Sequence, residues 1–324
     1  MKRALPILAV LMALLAAIAI ANPFFLEPAG FLALLKRAAP LVVLAAGQYF
    51  VIVSGEFDLS VGSLVTAEVV IAARLIDGDE SATWPVLALL VAAGLLVGLV
   101  NGVLTTKLRV PSFIVTLGML LVLSGAVFLW TGGAPRGALS EGFRAFGRGG
   151  LGPVPWPVPW SVPWSVPILL AVGAAAIWLM RAGFGRTLIA TGDNERAAAL
   201  SGVRVGRVKV CAFMLSGLSA AVAAILLGGF AGVSAQVGQG LEFSAITAVV
   251  LGGVALGGGR GSVLAAMAGA VTLEALFTLL NLYGISGALE FTVQGVIIIA
   301  AVAAGAIRLP WKPTPRRGDA HAAS

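Results

Sequence analysis

Charge is what this chain has least of. Only 11% of its 324 residues are Asp, Glu, Lys or Arg, whereas 59% are hydrophobic. A soluble domain carries about 25% charged residues, so this composition defines an integral membrane protein. No stretch is polar enough for an independent soluble domain. Histidine is nearly missing: His321, the only one, lies in a polar tail, which excludes histidine-based metal and proton-relay chemistry. Cys211 is the single cysteine, so no intramolecular disulfide forms and cysteine usage says nothing about redox compartment. No GxxxxGK[ST] sequence occurs, so the polypeptide does not bind ATP through a Walker loop. The net charge of +7 invites a nucleic-acid reading, but its distribution fits membrane orientation, and no nucleic-acid partner is expected.

What is present is a series of apolar runs, at about 5–21, 38–54, 60–75, 84–105, 112–131, 164–180, 208–230, 244–257, 262–282 and 289–307. These predict an all-α protein of about ten transmembrane helices, with 244–257 short for a span. The transmembrane domain then covers 1–307, followed by a polar tail at 308–324. With both termini cytoplasmic, 15 of the 21 Lys and Arg fall inside, and Lys36, Arg37, Arg74, Arg136, Arg144 and Arg148 fall outside. The first run resembles a signal peptide, with Lys2 and Arg3 before it and Ala19-Ile20-Ala21 at its end. It is longer than the usual h-region of about 7–15 residues and is read as a retained helix.

Where charge does enter the apolar region, it needs a reason. Gly55–Ser63 reads GEFDLSVGS and sets Glu56 and Asp58 between two apolar runs. Gly55 permits a bend, and Asp58 and Ser60 can cap a helix beginning near Val61. The turn is either a cap alone or part of a passage or its gate. Asp58, Ser60, Ser63, Glu68 and Asn101 are the candidate pathway residues. Glu68 and Glu274 lie deep in their runs and should face protein or water, with no obvious pairing partner; Glu242 and Glu290 lie near span ends, where water reaches. A second short motif, GQGLEFS at 238–244, also places Gly, Glu and Phe before an apolar run but after a helix of opposite direction, as an inverted repeat would.

Three connecting segments stand out. Within the basic loop 181–209, TGDNERAAALSGV reads as a short helix, with Asp193 or Asn194 as N-cap and Gly202 as stop. It is too short and polar to span, and it suits either partner docking or a solvated connector. GGVALGGGRGS at 252–262 lacks the lysine of a phosphate loop and reads as a tight turn. The external segment 132–163 leads into VPWPVPWSVPWSVP at 154–167, where recurring Pro favours an extended interfacial connector and Trp156, Trp160 and Trp164 suit the membrane interface.

Taken together, these motifs resemble the permease subunits of ribose/xylose/galactose-type ABC sugar importers. GEFDLSVGS resembles that family's GGIDLSVGS signature, with Glu56 and Phe57 in place of Gly and Ile. NGVLTTKLRVPSFIVTLGML (101–120), GDNERAAALSGVRVGRVK (192–209), LEFSAITAVVLGGVALGGGRGS (241–262) and NLYGIS (281–286) follow in the family's order, and the likeness covers about 36–305. The resemblance implies a type II importer permease built of two inverted repeats in the bacterial inner membrane. It further implies a second permease copy, identical or different, completing the pore, and a periplasmic sugar-binding protein. A cytoplasmic ABC ATPase would bind the ATP and Mg, leaving this chain without catalytic residues, cofactor or metal. The coupling contact to that ATPase carries over onto Gly192, Asp193, Asn194, Glu195, Arg196, Ala198, Leu200 and Gly202. Two alternatives stay open: a permease for branched-chain amino acids or nucleosides, and an ion-coupled carrier using Glu68 or Glu274.

Overall fold

The computed structural model describes residues 5–152, 162–285 and 287–306. The tail at 308–324, Lys2, Arg3, Trp156, Trp160 and His321 lie outside the described residues. Each expected apolar run becomes one helix: α1 (Leu5–Ala21), α2 (Pro28–Val53), α3 (Val61–Ile76), α4 (Thr83–Lys107), α5 (Ser112–Thr131), α7 (Ser165–Arg181), α10 (Val205–Ala231), α11 (Leu241–Leu251), α12 (Val263–Leu282) and α13 (Gly287–Ala306). Three further helices are connectors: α6 (Glu141–Arg148), α8 (Gly183–Asp193) and α9 (Glu195–Leu200). The only strands among the described residues are β1 (Gly150–Leu151) and β2 (Val162–Pro163), an antiparallel pair within the segment 132–163.

By length and composition α2, α4, α5, α10 and α12 can each cross a membrane unaided, and α7 reaches the required length only together with the connector α8, from which it is bent by 72°. The short helices are informative. The 11 residues of α11 extend about 16 Å at 1.5 Å per residue, about half of a ~30 Å hydrocarbon core. The rest of that crossing is the non-helical segment 232–240. The same division holds for α3, which is preceded by the non-helical segment 56–60.

Helix α2 is the axis of the bundle. Beyond Lys36 and Arg37 it is apolar on every side but for Gln48, and every residue from Ala38 to Val53 is buried, chiefly against α10, α11 and α12. Helix α1 packs on α12 through Ile18, with Leu34 and Ala275. Helix α5 is the opposite case, a peripheral helix with Leu121, Val122 and Leu129 exposed. The tightest crossing joins α4 to α10. Gly94, Gly98 and Gly102 recur at four-residue spacing on α4, and a Cβ at any of them would strike the α10 backbone at Gly217, Phe213 or Val210. Small residues repeated at this spacing let helix backbones approach in lipid, where packing rather than hydrophobic exclusion drives association.

The two ends of the bundle differ. At one end α6 lies on the C-terminal turn of α10, with Gly147 against Leu226 and Phe230. Ser140 caps α6 by accepting from the Phe143 N–H at 3.1 Å. Trp164 begins α7 there, its ring 6.5 Å from Phe146. At the other end sit α8, α9 and the glycine-rich run 252–262. That run is more than a turn: the Gly259 N–H donates to the Val53 carbonyl at 2.9 Å, so it seats the end of α2. Gly258 and Gly259 take φ of +81° and +69°, a conformation that favours glycine.

Candidate functional site

Helix α2 ends at Ser54–Gly55, and Gly55 has φ +88°. The chain then turns back into the bundle as the non-helical segment Glu56–Ser60 before α3 begins at Val61. A non-helical backbone inside a membrane bundle is tolerated only where protein or water satisfies its polar groups. Here protein does much of it. The Phe57 N–H donates to Ser112 Oγ at 3.1 Å, and Thr116 Oγ1 donates to the Phe57 carbonyl at 3.4 Å.

Asp58 is the centre of this packing. It is 1% exposed, and its Oδ1 accepts from the Ser60 N–H at 3.0 Å and from Ser60 Oγ at 2.6 Å. Its Oδ2 accepts from Ser216 Oγ on α10 at 2.8 Å. Asn101 on α4 donates through Nδ2 to Ser60 Oγ at 2.9 Å, and Ser63 Oγ donates to the Ser60 carbonyl at 2.9 Å. Four of the five expected pathway residues, Asp58, Ser60, Ser63 and Asn101, thus form one buried knot tying the turn to α4 and α10.

The expected cap takes a different form. Ser60 occupies the N-cap position of α3 without a side-chain cap bond, because its hydroxyl is given to Asp58, which closes an Asx turn two residues back. Glu68, the fifth candidate, stands apart from the knot. It is fully buried on α3, beside Gly94, with neither carboxylate oxygen hydrogen-bonded among the described residues. Glu274, expected to lack a partner, has one: Arg37 Nε lies 3.7 Å from its Oε1. Glu242, expected near water, is only 6% exposed, because α11 starts in the bundle interior rather than at a span end.

Asp58→Ala would orphan two buried hydroxyls and one N–H. At about 1–3 kcal/mol for a buried unsatisfied group, with some relief from hydroxyl rotation, a loss of about 3 kcal/mol is expected. Asp58→Asn keeps an acceptor and should lose less. Thermal unfolding in detergent reads both, and equal losses would show that the acceptor pattern is not what matters.

The expected coupling segment is helical where the sequence indicated. Asn194, not Asp193, is the N-cap of α9, its Oδ1 accepting from the Ala197 N–H at 2.9 Å. Gly202 follows with φ +85°. Glu195, Arg196 and Leu200 are exposed on α9, and Ala198 is buried beneath it. Gly192 at the end of α8 has a packing reason to be glycine, since a Cβ would strike the Val53 carbonyl. Asp193 lies against Gly259.

One residue that sequence reasoning passed over joins the two sites. Lys209 Nζ on the first turns of α10 is 2.7 Å from Glu56 Oε1 and 2.7 Å from Glu195 Oε2. The ammonium therefore bridges the signature turn and α9, which are 153 and 14 residues away in sequence. Ser216 was missed as well; its only sequence signal is a hydroxyl within an apolar run.

A membrane helix bundle with two interior chain breaks and a small polar helix tied to one of them defines a transport protein. The comparison with known families agrees: the family described as branched-chain amino acid transport system / permease component matches residues 30–302, and the chain belongs to it. The ribose import permease protein RbsC of Bacillus subtilis is 36% identical over 296 residues, covering 88% of this chain and 87% of that protein. The ribose import permease protein RbsC of Escherichia coli K12 is 35% identical over 302 residues, 90% of each. The autoinducer 2 import system permease protein LsrC of Escherichia coli is 32% identical over 272 residues, 82% of this chain and 76% of that protein. No solved structure matches the chain.

Proposed function

We propose that this chain is the permease subunit of an ATP-binding-cassette importer that carries a monosaccharide inward across the bacterial inner membrane. The likeness to ribose import permeases over about nine-tenths of both chains supports the substrate class. Lys209, bridging Glu195 on α9 and Glu56 on the signature turn, is the observation that carries the mechanism. In this reading the α8–α9 end is cytoplasmic, as are both termini, and the ATPase docks on Glu195, Arg196 and Leu200. The α6 end, with the external segment 132–163, receives the sugar-binding protein. The largely exposed α5 supplies a face for a second permease copy or lipid. ATP and Mg belong to the ATPase. Closure of the ATPases moves α9, and Lys209 passes that movement to the turn that Asp58 anchors between α4 and α10.

The ion-coupled carrier has less support: the family and the relatives that the chain matches are import permeases, and of its two candidate carboxylates Glu274 is engaged by Arg37, which leaves Glu68 alone. Reconstituting the permease with its ATPase and binding protein should give sugar uptake that requires ATP and persists without an ion gradient. Simultaneous alanine substitution of Asp193, Asn194, Glu195 and Arg196 should leave ATP hydrolysis but abolish its link to uptake. Uptake driven by an ion gradient with no ATPase present would overturn the reading.

A further inference from the structure

Glu242 is a buried carboxylate with an oxygen to spare. It sits in the first turn of α11, is 6% exposed, and its Oε2 has no hydrogen-bond partner among the described residues. It is aimed at Gly62, where a Cβ would collide with that oxygen. A buried carboxylate oxygen without a donor is costly, so one in a folded protein calls for water or a ligand to supply a proton.

The space beside it is the meeting point of the two chain breaks. The α3 break enters from the α8–α9 end and the α11 break from the α6 end, so both helices start inside the bundle. They touch there: the Gly238 N–H donates to Thr66 Oγ1 at 2.9 Å, and a Cβ at Gly238 would strike the Gly62 carbonyl. The cavity at this junction measures about 220 Å³ and is lined by Ser63, Ser124, Gln236, Gln239, Glu242 and Phe128, among others. Leu120, Ser124 and Phe128 come from one stripe of α5 at four-residue spacing and form the third wall; Phe128, Gln236 and Gln239 are exposed, so the cavity is open on their side and closed on that of Ser63 and Glu242.

The lining selects a chemistry. Hydroxyls, two carboxamides and a carboxylate supply donors and acceptors for vicinal hydroxyl groups, and a phenyl ring offers an apolar wall for the C–H face of a ring. No Lys or Arg lines the cavity among the described residues, so a ligand carboxylate or phosphate would find no cation. The volume equals that of about seven liquid waters, which suits one small ring and lies below the ~300–1,000 Å³ of drug-sized sites. We propose that this junction cavity is an intramembrane binding site for a single neutral polyhydroxylated ring, with Glu242 accepting ligand hydroxyls. The proposal rests on the permease reading above and adds where the sugar is held and why an amino acid is not.

The test uses the assembled transporter in membrane vesicles, with Cys211→Ser as background. Ser124→Cys and Gln239→Cys are each labelled by a charged, membrane-impermeant methanethiosulfonate, and Val122→Cys, 65% exposed on α5, is the outward-facing control. Both cavity cysteines should label, the control should not, and D-ribose, D-xylose or D-galactose with binding protein should slow labelling at least about fivefold. Glu242→Gln, which replaces a charged acceptor with a neutral one, should raise the sugar concentration that gives half-maximal protection about tenfold, the effect of about 1.4 kcal/mol. Cavity cysteines that stay unlabelled, or that label at a rate none of the three sugars changes, would overturn the site. Unmutated complex is assayed for uptake in the same vesicles. A failed site in a complex that imports sugar therefore leaves the permease reading intact, whereas absent uptake counts against that reading itself.

Discussion

Lys209→Met is expected to separate ATP hydrolysis from transport and to cost stability as well. The ammonium is held at 2.7 Å from two carboxylates, and its side chain is only 10% exposed. Removing it leaves Glu56, 15% exposed, without its counter-ion, whereas Glu195 at 61% exposure regains water. Removing one member of a fully buried pair costs about 3–5 kcal/mol, and an exposed pair is worth about 0–1 kcal/mol. With one buried and one wet partner, a loss of about 2–3 kcal/mol follows. The functional effect should be larger, because no other ion pair among the described residues joins α9 to the signature turn. The measurement is sugar imported per ATP hydrolysed in proteoliposomes, which should fall at least about tenfold, alongside a thermal unfolding scan. Adding Glu56→Gln to Lys209→Met should restore most of the stability, since no charge is then stranded, but not the coupling. Coupling that survives in the single variant would show that α9 acts on the pore by another route. Glu56 stands where the resembling family signature has glycine, so the bridge is a feature of this chain's own residues.

That bridge was not legible in the sequence, and the reason is physical. The apolar runs map one-to-one onto helices, because a ~20-residue apolar stretch is a strong signal and a spanning helix satisfies its own backbone. The short α9 and its glycine stop were also readable, from local cap chemistry alone. Which face of each helix meets protein was not. Lipid tails are as apolar as a core, so α5, turned outward, and α2, enclosed from Ala38 to Val53, carry the same kind of residues there. Without an amphipathic contrast, the pairing of Glu56 with Lys209, of Asp58 with Ser216 and of Glu274 with Arg37 had no periodic signature. Glu242 misled for a related reason. Its place at the edge of an apolar run suggested a water-exposed span end, whereas a chain break had carried that edge into the interior.

Gly94→Val should be among the most damaging single changes in the molecule. A Cβ at Gly94 would overlap the Gly217 carbonyl, and a Cβ at Gly217 would overlap the Gly94 carbonyl, so α4 and α10 touch backbone to backbone. Backbone cannot rotate away as a side chain can, and the helices would have to separate. Separation would also pull on the knot, because Asn101 and Ser216, which hold Ser60 and Asp58, sit on these two helices. Overpacking alone costs about 1–3 kcal/mol, and the strained knot adds buried unsatisfied groups. A loss above about 3 kcal/mol is expected, read as a large fall in thermal midpoint and in monodisperse yield from detergent. The comparison that isolates the cause is Gly→Ala at two helical positions. At Gly118 on α5 nothing lies within 4 Å of the added methyl, so alanine should be neutral or gain up to about 1 kcal/mol from helix propensity. At Gly94 the same methyl, with the same propensity gain, should destabilise. A Gly94→Ala protein as stable as Gly118→Ala would mean that the α4–α10 crossing is not the close contact on which the position of the signature turn depends.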